Sequence, residues 1–200
     1  DSSIQKNPDL TGMDFKGTVV ESFSWVDEQG ENFLINSILE MEVDKLPSAY
    51  LFSYHYIKND TGLVLMRLVQ DKVESCDFDI SLDFLGETSI TDLNEDNFAE
   101  VAIAYRLQCR SDVSECEMKV IMHDQNGKYG LRGFQYIVFS DQSEPKNYEF
   151  DLSKAEGDGE PEWLDFRGRY NNADDFESVP SSFLELAESL WIANVFERFD

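Results

Sequence analysis

Basic residues are scarce in this chain. Its 200 residues carry 16 Lys and Arg against 41 Asp and Glu, a formal charge of −25. That balance argues against nucleic acid, because a binder gains affinity by neutralising phosphates. Anionic membrane surfaces are disfavoured for the same reason. Cations and basic proteins are the partners such a field attracts, although the same charge also serves solubility. Histidine and cysteine are scarce too: two His, three Cys and no C-x-x-C pair. That excludes an ordinary zinc cage. No uninterrupted apolar run approaches 18 residues, so no segment reads as a membrane span. An initiator Met and a signal peptide are both missing, and the chain opens on the polar stretch Asp1–Asp9. This predicts an exported protein, in the periplasm or at the cell surface, with its targeting segment removed.

What is present is enough for a core. Apolar residues make up 42% of the chain, with 15 Phe and 8 Tyr, which is not a disordered composition. The expected organisation is a polar leader, residues 1–14, followed by one domain over 15–200. Three turns read Asx-x-x-Gly: Asp27–Gly30, Asn59–Gly62 and Asp124–Gly127. Each divides two strand-like runs: 18–26 from 31–42, 49–58 from 63–70, and 117–123 from 128–139. The Asx side chain can bond its own turn, and the Gly supplies positive φ where the second strand begins. Strict alternation marks two more strands. Phe78, Ile80, Leu82 and Phe84 share one face of 78–84, while Val101, Ile103, Tyr105 and Leu107 oppose Ala102, Ala104, Arg106 and Gln108. Period two with one polar face predicts half-buried antiparallel strands.

Residues 141–177 are rich in Asp, Glu, Gly, Pro and Asn and read as a long acidic surface segment, with a short strand near Tyr148–Leu152. A helix over 182–198 closes the chain. Ser182-x-x-Glu185 has the pattern of a capping box. Phe183, Leu186, Ala187, Leu190, Trp191 and Val195 recur at helical spacing, as a stripe that packs on the sheet. The fold class is therefore mainly β with one C-terminal helix: an antiparallel meander of hairpins forming a sandwich or small barrel-like sheet.

One loop carries recognisable chemistry. From Asp92 the chain runs Asp-Leu-Asn-Glu-Asp-Asn-Phe-Ala-Glu100. Asp92, Asn94, Asp96 and Glu100 stand at positions 1, 3, 5 and 9, with the Phe98 carbonyl at position 7. That spacing lets a tight loop turn several oxygens toward one Ca²⁺, which needs six to eight. Position 6 is Asn97, a residue that tolerates the left-handed conformation. The twelfth position is Ile103, not the bidentate Glu of an EF-hand, and the flanks are strands. The loop resembles instead the FG-GAP or VCBS-type calcium loop, Asp-x-Asp-x-Asp-Gly-x-x-Asp-Leu, of exported propeller-like modules. A single copy rules out a full propeller. Its ligand charge suits an affinity on the order of 10⁻⁴–10⁻³ M.

A wider resemblance rests on Tyr54–Asn59, Cys76–Ile80, Ile90–Asn94, Tyr105–Ser114, Met122–Asp124, Tyr129–Gly133 and the Phe183–Trp191 helix. These stretches are similar to a family of small exported bacterial proteins tied to surface polysaccharide biosynthesis. The resemblance implies an envelope location and a link to surface glycans, with no catalytic residues to carry over. Cys116 stands outside the family pattern, as an odd thiol.

Three Cys allow one disulfide in three pairings. Cys76–Cys109 is expected, because Cys76 lies just before one strand and Cys109 ends a neighbour; Cys109–Cys116 is the alternative. His55 and His123 sit in strand patterns with no nucleophile elbow near either, which favours structural roles. Arg110-Ser-Asp112 reads as a turn held by a local ion pair. Trp25, Trp163 and Tyr170 could stack on sugars or fill a core. The reading favoured is a non-enzymatic, calcium-stabilised envelope module that assists glycan assembly or binding. The alternatives are an acidic, inhibitor-like protein docking a basic partner, and a glycan-active hydrolase.

Overall fold

Turn chemistry sets the topology. In the computed structural model, which describes residues 4–155 and 162–199, each Asx side chain accepts from the backbone two residues on. Asp27 Oδ1 takes Gln29 N–H, Asn59 Oδ1 takes Thr61 N–H, and Asp124 Oδ1 takes Asn126 N–H. Gly30 and Gly62 have the expected positive φ, at 132° and 117°. Gly127 does not share it; a Cβ there would meet the Tyr129 hydroxyl at 2.8 Å, so close approach is what demands glycine.

The first sheet is a meander of β1 (Gln5–Lys6), β2 (Thr18–Asp27), β3 (Gly30–Val43), β4 (Leu46–Asn59) and β5 (Gly62–Val73), antiparallel in that order. β3 and β4 are longer than the sequence runs suggest. They continue to a two-residue turn in which Asp44 and Lys45 both have positive φ, a hairpin geometry usually written with Gly or Asn. The second sheet is β6 (Asp79–Thr91), β7 (Glu100–Arg110), β8 (Glu117–His123) and β9 (Lys128–Phe134), also antiparallel in order. Phe78 stands before β6 and is exposed, so it does not join Leu82 in the core as its alternation implied.

The sheets pack face to face. Phe23, Trp25, Leu34, Leu51 and Val69 of the first meet Leu82, Val101, Ile103, Tyr105 and Ile121 of the second. β7 is buried on both faces, not one. Its other face carries Ala102 and Ala104, which pack with Met118, Val120 and Met122 beneath Phe183, Ala187 and Trp191. Small side chains there let the covering layer approach closely.

That covering layer is α1 (Ser181–Asn194). It is shorter than 182–198. Pro180 is the N-cap and no side chain caps the first turn, so the Ser182–Glu185 box does not form: Ser182 is already inside the helix. After Val195 the chain becomes β11 (Phe196–Phe199), parallel to β10 (Tyr136–Phe139) in a separate two-stranded sheet. Aromatic residues flank this segment, and they suit a strand better than a helix end. The third hairpin thus ends at Phe134, and β10 departs from it.

The N-terminal segment is more than a leader. Leu10, Met13 and Phe15 pack on Phe33, Ile35, Phe52, Tyr54 and Tyr56, covering the outer face of the first sheet. Ser37 Oγ donates to Lys16 O at 2.7 Å, and Lys16 N–H donates to the Tyr54 hydroxyl at 3.2 Å. Among the described residues, the acidic segment holds three short 3-10 turns, at Leu152–Lys154, Trp163–Phe166 and Asp174–Phe176. No strand forms at Tyr148–Leu152; only an isolated bridge joins Asp151 to Tyr170. Residues 156–161 of that segment lie outside the described residues, as do 1–3 of the leader. Among the described residues no helix is long and apolar enough to cross a membrane.

Candidate metal centre

β6 and β7 are joined by the loop in which oxygen ligands were expected, and it closes on itself. Asp92 Oδ1 accepts Asp96 N–H at 3.0 Å, and Asp92 Oδ2 accepts Asn97 N–H at 3.2 Å. Asp96 Oδ1 accepts Phe98 N–H at 2.9 Å. Asn97 is left-handed, φ 65°, as its place in the loop demands; Glu95 is left-handed too, φ 57°.

Of the five expected ligands, the structure brings three carboxylates together. Ligand oxygens of Asp92, Asp96 and Glu100 lie within 4.8 Å of one another. Asn94 is beside them but folded inward: its Nδ2 donates to Asp96 Oδ2 at 2.9 Å and its Oδ1 accepts Asp96 N–H at 3.1 Å. Phe98 is held through its N–H.

Acidic clusters on a surface are ordinary without an ion. Glu100 is what distinguishes this one. It is 1% exposed. Its Oε2 accepts Leu93 N–H at 2.8 Å and the Thr91 hydroxyl at 3.1 Å. Its Oε1 is buried with no partner among the described residues. Burial pushes the Glu100 carboxyl above its ordinary range, the two hydrogen bonds oppose that, and the Asp92 charge adds to it. A buried oxygen left unpaired costs about 1–3 kcal/mol, and more when charged. A cation between the three carboxylates would remove that cost. The donor set is all oxygen, which fits a hard ion such as Ca²⁺ and not a thiophilic one.

The loop leans on the β2–β3 turn. Glu28 N–H donates to Asn97 O at 3.3 Å, and Asp27 Oδ2 accepts both Ala99 N–H at 3.3 Å and Trp25 Nε1–H at 3.2 Å. Beside it lies an open groove of 530 Å³, whose lining includes Val26, Asp27, Glu28, Thr91, Asp92 and Phe98. Trp25 is 2% exposed, so its ring fills the core between the sheets. Tyr170 is buried too, with its hydroxyl on Glu188 at 2.6 Å. Neither presents a free face for stacking on a sugar. Trp163 begins a 3-10 turn in the acidic segment.

The remaining candidates resolve as structure. Cys76 is bonded to Cys109, with Cα atoms 5.7 Å apart. Cys116 is a free, buried thiol, pushed up by burial. Arg110 does not pair with Asp112. It reaches Ser114 O at 2.9 Å and both oxygens of Glu197 at 2.8 and 2.9 Å. Glu197 also takes Arg106 at 2.6 Å. The two histidines are fully buried and face each other, His55 Nδ1 to His123 Nε2, at 3.1 Å. Burial holds His55 down to about 4, and holds His123 well below the ordinary imidazole range. Their contact spans 68 residues of sequence, so no local pattern could announce it.

Compared with known proteins, the chain matches no family model, no curated sequence and no solved structure.

Proposed function

We propose that this protein is a non-enzymatic β module, stabilised by a calcium ion in the Asp92–Glu100 loop and working at the cell envelope with surface glycans. The observation that carries the metal assignment is Glu100 Oε1, buried and unpartnered beside Asp92 and Asp96. Asp92, Asp96 and Glu100 would hold the ion, which would supply charge neutralisation and pin β6 to β7. The envelope location is supported by the Cys76–Cys109 disulfide, since such bonds persist in oxidising compartments. The link to glycans rests on the sequence resemblance described above. A non-enzymatic role is supported by the two histidines, which are bonded to each other rather than to a nucleophile.

Metal-stripped protein should melt higher on adding 1 mM Ca²⁺. For an affinity on the order of 10⁻⁴ M the gain is about 1.4 kcal/mol, or roughly 3–6 °C at this chain length. Asp92→Ala should remove the response. An unchanged melting temperature in 1 mM Ca²⁺ would refute the metal reading.

A second reading has its own observation. The β2–β3 and β4–β5 turns frame an open cleft of 620 Å³ lined by Asp27, Glu28, Glu31 and Asp60, with Lys58 as its one base. Lys58 is already paired with Glu31 at 3.1 Å. Such a rim suits a basic protein partner. A salt-sensitive complex with a basic protein, unaffected by calcium, would favour this reading over the first.

A further inference from the structure

Between the sheets lies a titratable pair that the metal reading does not use. His55 belongs to β4 in the first sheet, and His123 ends β8 in the second. Their protonation states follow from the neighbours. Asn32 Nδ2 donates to Gly30 O at 3.1 Å, which fixes the amide with Oδ1 toward His55 Nε2 at 2.9 Å. A carbonyl oxygen only accepts, so His55 carries its proton on Nε2 and leaves Nδ1 bare. That bare nitrogen faces His123 Nε2 at 3.1 Å, so His123 must donate from Nε2. His123 Nδ1 then has no proton and, among the described residues, no partner. The chain of donors is fixed from His123 through His55 to Asn32, and it needs both rings neutral.

We propose that the His55–His123 bridge is an acid-sensitive latch between the two sheets, closed while both imidazoles are neutral and opened when they take up protons. The first proton places a cation in the interlayer with no carboxylate bonded to either ring. The second sets N–H against N–H across the 3.1 Å contact. The surrounding charges mostly oppose uptake. Arg67 of β5 acts against a proton on either ring, and Lys128 of β9 against one on His123. Asp27, the last residue of β2, is the carboxylate that favours one on His55. Asp124, next to His123 in the chain, is committed to Asn126 and Gly127 N–H and the Tyr129 hydroxyl. The Trp25 ring covers His55, with centroids 5.1 Å apart, and so reports on the latch.

The sign follows from linkage. Both histidines bind protons less readily folded than unfolded. Their contribution is therefore complete above the unfolded value near 6.5 and is lost as pH falls toward the folded value, about 4 for His55. Two protons enter on opening. This inference does not rest on the ion.

The test uses the full chain, with and without 1 mM Ca²⁺. Imidazole nitrogen NMR should show two neutral Nε2–H tautomers that do not titrate between pH 8 and 5. Stability, read from the denaturant midpoint by Trp near-UV circular dichroism, should fall from pH 6.5 to 5, with the proton uptake on unfolding rising from about one to about two. His123→Gln keeps an N–H donor at the position of Nε2 and takes no proton, so it should halve that uptake while keeping the pH 8 midpoint. Either ring titrating near 6.5, or a proton uptake unchanged in His123→Gln, would overturn the latch. The NMR result stands even if the variant fails to fold. Both readouts are independent of calcium, so failure of the metal reading leaves them intact.

Discussion

The two ends of β7 handle charge in opposite ways. At its C-terminal end, Arg106 and Arg110 converge on Glu197, and Cys109 is tied to Cys76. Every buried charge there meets its counter-charge within the chain. At the N-terminal end, Glu100 lies with Asp92 and Asp96, and one of its oxygens has no partner. The strand between is continuous, buried on both faces from Glu100 to Tyr105 and half-buried from Gln108 to Arg110. One end is complete in itself. At the other, three carboxylates meet without a basic partner in the cluster, and the calcium ion proposed above would supply the counter-charge.

The completed end gives the largest effects. Replacing both Cys76 and Cys109 by Ala releases a loop with a sequence separation of 33. The chain-entropy estimate for such a loop is about 3–4 kcal/mol, to be read as a lower denaturant midpoint at pH 7. A smaller loss would show that the ion pairs alone hold this end.

Next comes Glu197→Gln. It leaves Arg110 without its carboxylate and Arg106 with only Asp83, 3.0 Å away. Arg106 is partly solvated, its side chain 24% exposed, so the expected loss is about 1–3 kcal/mol, below that of a fully buried pair. Measured in a double cycle with Arg110→Met, most of that loss should disappear.

The open end gives the smallest effect, and its pH dependence has the reverse sign to that of the histidines. Glu100 is raised, mainly by burial. Its contribution in metal-free protein is complete below its unfolded value, about 4.5, and is lost as pH rises through the higher folded value. Glu100→Gln should therefore flatten the pH dependence just above that point when calcium is absent.

Much of this was legible in the sequence where the cause is local. Asx-x-x-Gly turns announce themselves because the side chain bonds its own backbone. The Asp92–Glu100 loop stands out because its side-chain oxygens recur at alternate positions. The two-sided burial of β7 was not legible, since Ala102 and Ala104 look like a neutral outer face until a helix is placed on them. The end of α1 was missed because Phe196 and Phe199 continue an apolar pattern while pairing with β10. Glu197 reaches Arg110 across 87 residues, so the corner at Arg110 was assigned to the nearer Asp112. Asn94 stands at a ligand's spacing, and its amide also closes the turn on Asp96, a role the spacing alone does not show.

The contrast between the two ends comes down to Glu100. Melting curves of wild type and Glu100→Gln, each in EGTA and in 1 mM Ca²⁺, test it directly. The account predicts that the substitution leaves the metal-free protein as stable or slightly more so, because it removes a buried charge, and that it abolishes the rise of roughly 3–6 °C on adding calcium. A variant that is destabilised in EGTA and still rises with calcium would contradict it.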